Sequence, residues 1–317
     1  MGGIGRTSPG FFISEVYAHI HRNETSSIIF NLEVIFIKIG FIGAGKVGFS
    51  LGKYFKVNNK DVLGYFSKNP QSAKSASVFT KTRHFAAIEQ LVYECDTIFI
   101  TTSDDEISNI WNVIKELPIK NKIICHTSGS LSSEIFLDIK HCGAFGYSVH
   151  PMFPISDKYK SHEALKEAFF TIEGSNEKIQ EVSNLITSIG NKVKIIKKEN
   201  KSLYHAASVT ASNLYIALMG IGVEYLKNCD FSEEEAIAAL YPLCNSNLQN
   251  IKNKGLEQAL TGPVERGDKA TIDGHLKAIP KEDIILYKHL SSILLQLAKN
   301  KNSERSYQQL DGILGGK

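Results

Sequence analysis

The hydrophobic pattern of the chain changes character near residue 200. Before it, short apolar runs alternate with amphipathic stretches of helical spacing. The runs are Ile35–Ile42, then 61–66 ("DVLGYF"), 96–103 ("DTIFITTS"), 122–126, 143–153 ("GAFGYSVHPMF"), 167–174 and 191–199. Helical patterns follow Gly45, run from Pro70 to about Val78, and occupy 84–95, 106–117 and 176–190. Wholly apolar runs such as "TIFI" are typical of strands buried on both faces. Strands alternating with helices in this way predict an α/β fold with a doubly wound parallel sheet.

Beyond residue 200 the period is helical throughout. "SLYHAASVTASNLYIALMGIGVEYLKNC" reads as one long helix, and "SEEEAIAALYPLCNSNLQNIKNKG" starts at a serine N-cap with acids in its first turn. "LEQAL", "KATIDGHLKAI" and "EDIILYKHLSSILLQLAKNK" complete an all-α C-terminal domain, and the tail "LDGILGGK" is expected to fray. The resulting division is a poorly ordered extension at 1–35, an α/β domain at 36–198 and a helical domain at 199–317.

The first apolar run leads into Gly43, Gly45 and Gly48, spaced G-x-G-x-x-G between a strand and a helix. That placement is the fingerprint of a Rossmann dinucleotide site: a tight turn, close backbone approach to a pyrophosphate, and close helix packing. Gly43, Ala44, Gly45, Lys46, Val47 and Gly48 are therefore candidate cofactor contacts. The second strand ends in Ser67, Lys68 and Asn69, without the acid that would hold a free ribose 2′-hydroxyl. A hydroxyl, a cation and an amide suit a 2′-phosphate, so the expected cofactor is NADP(H). Thr101, Thr102 and Ser103 end the next long strand and could form a polar lip under the cofactor ribose. Asp104 or Asp105 reads as the N-cap of the following helix.

Ligands of open α/β sheets bind at the carboxyl ends of the strands. That edge would gather the glycine loop, Ser67–Asn69, Thr101–Asp105, residues 126–130 ("HTSGS") and His150–Met152. His150 and Ser128 are candidate catalytic groups there, with Ser130 and Met152 on the substrate side. On the long helix, His205, Ser208 and Ser212 fall within ~60° of one another, and Asn213 lies ~80° from His205. His205 and Asn213 are the candidates from this helix, because the first long helix after a Rossmann domain commonly roofs the nicotinamide. "TGPVERGD" presents Arg266, whose planar fork suits a substrate carboxylate, or alternatively an ion pair with Asp268.

Composition narrows the class. A net charge of +3 and 22% charged residues give no case for nucleic acid. No His, Cys or acid cluster has metal-ligand spacing, and no apolar run is expected to reach the ~18 residues of a membrane span. Five cysteines, none in a C-x-x-C pair, point to a reducing cytoplasm.

"GFIGAGKVG", "HTSGS", "HPM", "YHAASVTASN" and "TGPVERGD", in this order, resemble a family of predicted oxidoreductases. That family pairs a Rossmann-like NADP-binding domain with a helical C-terminal domain of unknown function. The match covers about residues 37–310. The family is similar to the group of 6-phosphogluconate dehydrogenase, pyrroline-5-carboxylate reductase, deazaflavin-dependent NADP reductase and prephenate dehydrogenase. The resemblance to prephenate dehydrogenases implies that His150 contacts a substrate hydroxyl. Hydroxyacid and 6-phosphogluconate dehydrogenases carry a Lys and an Asn on the first interdomain helix, where this chain has His205 and Asn213. The resemblance also implies a homodimer through the helical domain. The expected function is NADP(H)-dependent hydride transfer to or from a small carbonyl, hydroxyl or imine substrate. A prephenate-dehydrogenase-like enzyme and a non-catalytic NADP-binding sensor are the alternatives.

Overall fold

The computed structural model describes residues 37–315, and the expectation for residues 1–35 lies outside them. By internal contacts the chain forms two units. The first ends at Ile195 and the second begins at Ile196, with Gly129–Leu131 grouped with the second.

The first unit is an eight-stranded sheet: β1 (Ile39–Ile42), β2 (Val62–Phe66), β3 (Arg83–His84), β4 (Thr97–Ile100), β5 (Ile123–His126), β6 (Phe145–Met152), β7 (Phe169–Gly174) and β8 (Lys192–Ile195). The strand order is β3-β2-β1-β4-β5-β6-β7-β8. Helices α1 (Lys46–Val57), α2 (Pro70–Thr80), α3 (Ile88–Glu94) and α4 (Asp104–Ile114) connect the early strands, and α5 (Ser161–Ala164) and α6 (Ile179–Thr187) the later ones. All four residues of β1 are buried. Phe41 stacks between Tyr65 at 5.3 Å and Phe99 at 5.5 Å, so the core is centred on β1 and its two neighbours. The strand order reverses between β1 and β4, which makes their carboxyl ends the crevice of the fold.

Two details depart from the expected all-parallel sheet. β7 runs antiparallel to β6, and β8 is parallel to β7. The connection from β6 to β7 holds only the four-residue α5 and a 3₁₀ turn at Leu165–Glu167. Residues 84–95 are not one helix either. Arg83 and His84 pair with β2 as an edge strand, and the helix begins at Ile88. The opposite edge, β8, is exposed at Lys192, Lys194 and Ile195.

The second unit is helical: α7 (Lys201–Ala211), α8 (Asn213–Lys227), α9 (Glu233–Ala259), α10 (Pro263–Arg266), α11 (Lys269–Ala278), α12 (Ile284–Lys301) and α13 (Gln308–Leu314). Ser232 and Glu235 form a reciprocal capping box at the start of α9. Within α9, Gly255 has φ 78°, which separates "LEQAL" as a short helix of its own, as its pattern suggests. The expected fraying of the tail is corrected through residue 315. Leu310 and Leu314 are buried with Val264, Ile272, Leu295 and Tyr307, so α13 belongs to the core of this unit.

The expectation about apolar runs is also corrected. Lys198–Lys227 is long and apolar enough to cross a membrane by length and composition, with mean hydropathy 1.5 and only 6% of the window buried. It is interrupted at Ser212, where φ is −117° and ψ −67°. Ser208 Oγ donates to Tyr204 O at 3.2 Å and Ser212 Oγ to Ser208 O at 2.7 Å. Such back-bonding serines loosen the helical ladder. The ~80° separation assigned to Asn213 assumed an unbroken helix, so it does not hold across this break.

Candidate functional site

The three glycines of the first loop do different work. Gly43 has φ +105°, and a Cβ there would lie 2.9 Å from the Thr101 carbonyl carbon. A Cβ on Gly48 would lie 2.5 Å from Gly43 O. Both are required by the fold itself. Gly45 is different: a Cβ there would meet only Thr101 O, at 3.9 Å. Among the described residues nothing demands a glycine at 45, so the missing side chain leaves room for a ligand.

Gly45 is also the N-cap of α1. No side chain caps this helix and no acid lies in its first turn. Its N–H groups and the positive end of its dipole are therefore open to an anion. Ala44 is buried, Lys46 exposed and Val47 half-buried in the same turn. α4 starts at the same sheet edge with Asp104, Asp105 and Glu106 in its first turn. An anion is favoured at α1 and disfavoured at α4.

Thr101 is buried, and its hydroxyl donates to Gly43 O at 2.9 Å. It braces the glycine loop. Thr102 Oγ1 is buried without a hydrogen-bond partner, an uncommon state for a hydroxyl. A cofactor ribose or phosphate fits the donor set here: bare Gly45, uncapped α1 and an unsatisfied Thr102. At the end of β2, Ser67 is half-buried and Lys68 exposed. Asn69 caps α2, its Oδ1 accepting from Gln71 N at 3.0 Å and Ser72 N at 3.4 Å. Its carbonyl is thus committed to the helix, which leaves Ser67, Lys68 and the Asn69 amide nitrogen to meet a ligand. Ser103, not Asp104 or Asp105, occupies the N-cap position of α4. The Asp105 carboxylate is held below its ordinary range by hydrogen bonds from the Ser103 hydroxyl and its own backbone N–H.

A second polar group lies at the ends of β5 to β7. His126 pairs with Ser148, and Ser148 with Glu173, in one row across three strands. His126 is fully buried. Its Nδ1 accepts from Ser128 N at 3.2 Å, and Nε2 lies 3.2 Å from Ser132 O. A carbonyl can only accept, so the proton sits on Nε2 and the tautomer is fixed. Ser128 Oγ donates to Asp104 Oδ2 at 2.7 Å, and Ser148 Oγ donates to Ser128 O at 3.2 Å. Buried Glu173 accepts from Ser133 N at 2.7 Å and Ser133 Oγ at 2.8 Å. The turn after β5 is thus tied from three strands. Ser130 sits half-buried within it.

His150 lies two residues beyond the part of β6 paired with β5, half-buried and opposite Thr171. The Thr171 hydroxyl is buried without a partner. Met152, at the end of β6, is exposed. The sequence reading brought Ser128 and His150 to one sheet edge, and the strand register does so too. It missed Asp104 as the partner of Ser128, and it missed Glu173.

In the helical unit, His205 is half-buried on α7 and Asn213 is exposed at the start of α8, where its Oδ1 accepts from Ser212 Oγ at 3.1 Å. The Arg266 side chain is 60% exposed and 4.0 Å from Asp268. Asp268 caps α11 through Thr271. Glu265 anchors the same turn: its carbonyl accepts from Tyr307 Oη at 2.6 Å and from Arg305 at 2.7 Å. Among the described residues no group of three or more His, Cys, Asp or Glu could hold a metal ion.

A dinucleotide-type crevice on an α/β sheet and a separate helical unit define the class, and comparison with known proteins gives its family terms. Residues 21–151 match a Rossmann-like domain, and residues 168–293 match a domain of unknown function, DUF2520. The two matched segments follow one another in the order its motifs suggest, the Rossmann-like match before the DUF2520 match. Protein TM1727 from Thermotoga maritima is similar over 83% of this chain and 99% of its own, at 26% identity and a TM-score of 0.68. A Bacteroides fragilis protein described as an NADP oxidoreductase is similar over 84% and 98%, at 18% identity and a TM-score of 0.59. Plasmodium falciparum pyrroline carboxylate reductase with NADP bound is similar over 84% and 97%, at 16% identity and a TM-score of 0.55. No curated protein sequence matches the chain.

Proposed function

We propose that the chain is an NADP(H)-dependent oxidoreductase acting on a small carbonyl, hydroxyl or imine substrate. The observation that carries this reading is Gly45, bare of structural need, at the uncapped and acid-free start of α1. The absence of an acid at the end of β2, with Lys68 exposed there, supports NADP(H) over NAD(H). The fold shared with a structure holding NADP is in keeping with it. The bound cofactor would give or take a hydride at its nicotinamide ring.

The protein's own groups must then hold the substrate and move a proton. His150, half-buried on the ligand edge, is of the right type near neutral pH. His205 and Asn213 are the candidates from the helical unit, and Arg266 is the candidate for a substrate carboxylate. A second copy of the chain is the proposed partner. Support comes from apolar side chains left open on the helical unit, with Leu214 52%, Ile216 70% and Leu243 63% exposed. All five cysteines are free thiols, in keeping with a reducing cytoplasm.

The test is a titration with NADPH and with NADH, followed by nicotinamide fluorescence. Tight NADPH and weak NADH binding is expected, and binding of neither sinks the reading. His150→Asn and His205→Asn should keep NADPH binding and lose turnover of a substrate found by screening. A sensor would bind the cofactor and turn over nothing.

A further inference from the structure

We propose that the helical unit holds a site of its own for a small amphiphile, with a carboxylate head at His275 and Tyr287 and an apolar tail along α12. The site lies wholly within this unit and does not rest on the cofactor reading.

The groove follows from how the chain leaves α9. Leu260 turns the backbone extended, with φ −65° and ψ 128°, and Gly262 has φ +100°. A Cβ on Gly262 would meet nothing within 4 Å, so the backbone angle alone calls for this glycine. Pro263 then starts α10. A cavity of about 370 Å³ opens between this turn and α12, near the lower end of the range for ligand pockets. Tyr287, Leu290, Ser291 and Leu294 line it at spacings i, i+3, i+4 and i+7, so one stripe of α12 forms the wall. Pro263 and Val264 line the same cavity. A second cavity of about 250 Å³ shares Thr261 and Leu294 and continues to Leu297, Leu256 and Ile251. Tyr287 to Leu297 is ~15 Å of helix, which suits an extended chain better than a compact ring.

The polar end is set by one close pair. His275 Nδ1 and Tyr287 Oη are 2.7 Å apart, with the rings edge-on at 5.9 Å. Burial holds the Tyr287 phenol above its usual range, with the Ser291 hydroxyl pulling the other way, so it stays protonated near neutral pH. A neutral imidazole and a phenol carry two hydrogens, and their mutual bond uses one. The other is left for an acceptor. Protonation of His275 would add a further hydrogen and a positive charge. Among the described residues no carboxylate lines either cavity. Asp268, an acid that feels His275, is committed to Thr271 and Arg266. A carboxylate head therefore meets a donor and a cation, whereas an ammonium head meets no counter-ion.

The experiment is a calorimetric titration of the full chain with octanoate, hexanoate and octylamine. Octanoate should bind with a Kd of about 10–100 µM. Hexanoate, two methylenes shorter, should bind about tenfold more weakly, and octylamine at least about tenfold more weakly. Methyl spectra of the labelled protein should shift at Val264, Leu290, Leu294 and Leu297. Leu294→Trp, which fills the groove, should abolish binding. His275→Ala should cut octanoate affinity about tenfold. Should Leu294→Trp fail to fold, His275→Ala carries the test, because its side chain is exposed.

An octanoate Kd above about 1 mM overturns the proposal, as does equal binding of octylamine. So do shifts confined to other methyls, or unchanged affinity in His275→Ala. A Leu294→Trp protein that falls from dimer to monomer by light scattering also overturns it, because a second copy then covers the groove. The titration uses no cofactor, so its failure leaves the oxidoreductase reading as it stands.

Discussion

Thr101 donates its hydroxyl to the carbonyl of Gly43 across 2.9 Å, and this bond locks the glycine turn against the end of β4. A side chain at Gly48 would strike both partners, 2.5 Å from Gly43 O and 2.6 Å from Thr101 Oγ1. Gly48→Ala should therefore destabilise the protein by about 1–3 kcal/mol, as overpacking does. Gly45→Ala has room and should cost no more than about 1 kcal/mol at this N-cap. It should nonetheless weaken NADPH binding about tenfold or more, because the added methyl occupies the approach to the helix N-terminus. Thermal unfolding and NADPH titration of the two variants check the contrast. Equal NADPH affinity in Gly45→Ala and wild type would remove the case for a phosphate at this turn.

His126 joins the two ends of the turn after β5 and packs edge-on against Phe136 at 5.4 Å. His126→Ala strands the Ser128 N–H and the Ser132 carbonyl and leaves a cavity. Destabilisation of about 2–4 kcal/mol is expected. Urea unfolding measures it, and a loss below about 1 kcal/mol would mean that water replaces the ring without strain.

Lys68 is the exposed cation at the end of β2. Lys68→Ala should lower NADPH affinity about tenfold and leave NADH affinity unchanged, with a weaker salt dependence for NADPH. Equal losses for both cofactors would show that Lys68 does not face the 2′-phosphate.

The Asp268 carboxylate is held below its ordinary value of 3.8, first by the Thr271 hydroxyl and then by the Thr271 backbone N–H, with Arg266 adding. A carboxylate with a depressed folded-state pKa stabilises the fold fully above its ordinary value. That contribution disappears as pH falls through the lower folded value. Asp268→Asn should therefore lower the urea midpoint most near neutral pH, and the gap to wild type should close as the pH falls below about 4. A gap that stays constant with pH would assign the effect to packing.

The parts of this fold legible in the sequence are local ones. Gly43, Gly45 and Gly48 announce themselves because the turn, the phosphate approach and the helix packing each act within a few residues. Ser232 with Glu235, and the break at Gly255, are local in the same sense. The reversal of β7 was hidden because "EAFFTIEG" has the same apolar pattern whichever way the strand runs. The Asp104–Ser128 bond spans 24 residues and joins two separate strand ends, so it required the strand order. Asp104 looked like an N-cap because acids at a helix start usually are. The break at Ser212 was masked by the small apolar residues around it. The tail was misjudged because its glycines drew attention away from Leu310 and Leu314, which α13 turns into the core.

Turning β7 back leaves β8 as the last strand, with one side of its backbone without a neighbouring strand among the described residues. An open edge is a template on which another chain can zip, and proteins guard such edges with charge. β8 carries Lys192 and Lys194, both exposed. Two molecules meeting rim to rim would bring four ammonium groups together before a single ladder bond formed. Like-charge repulsion between these lysines disfavours edge-to-edge pairing of two such sheets at this rim.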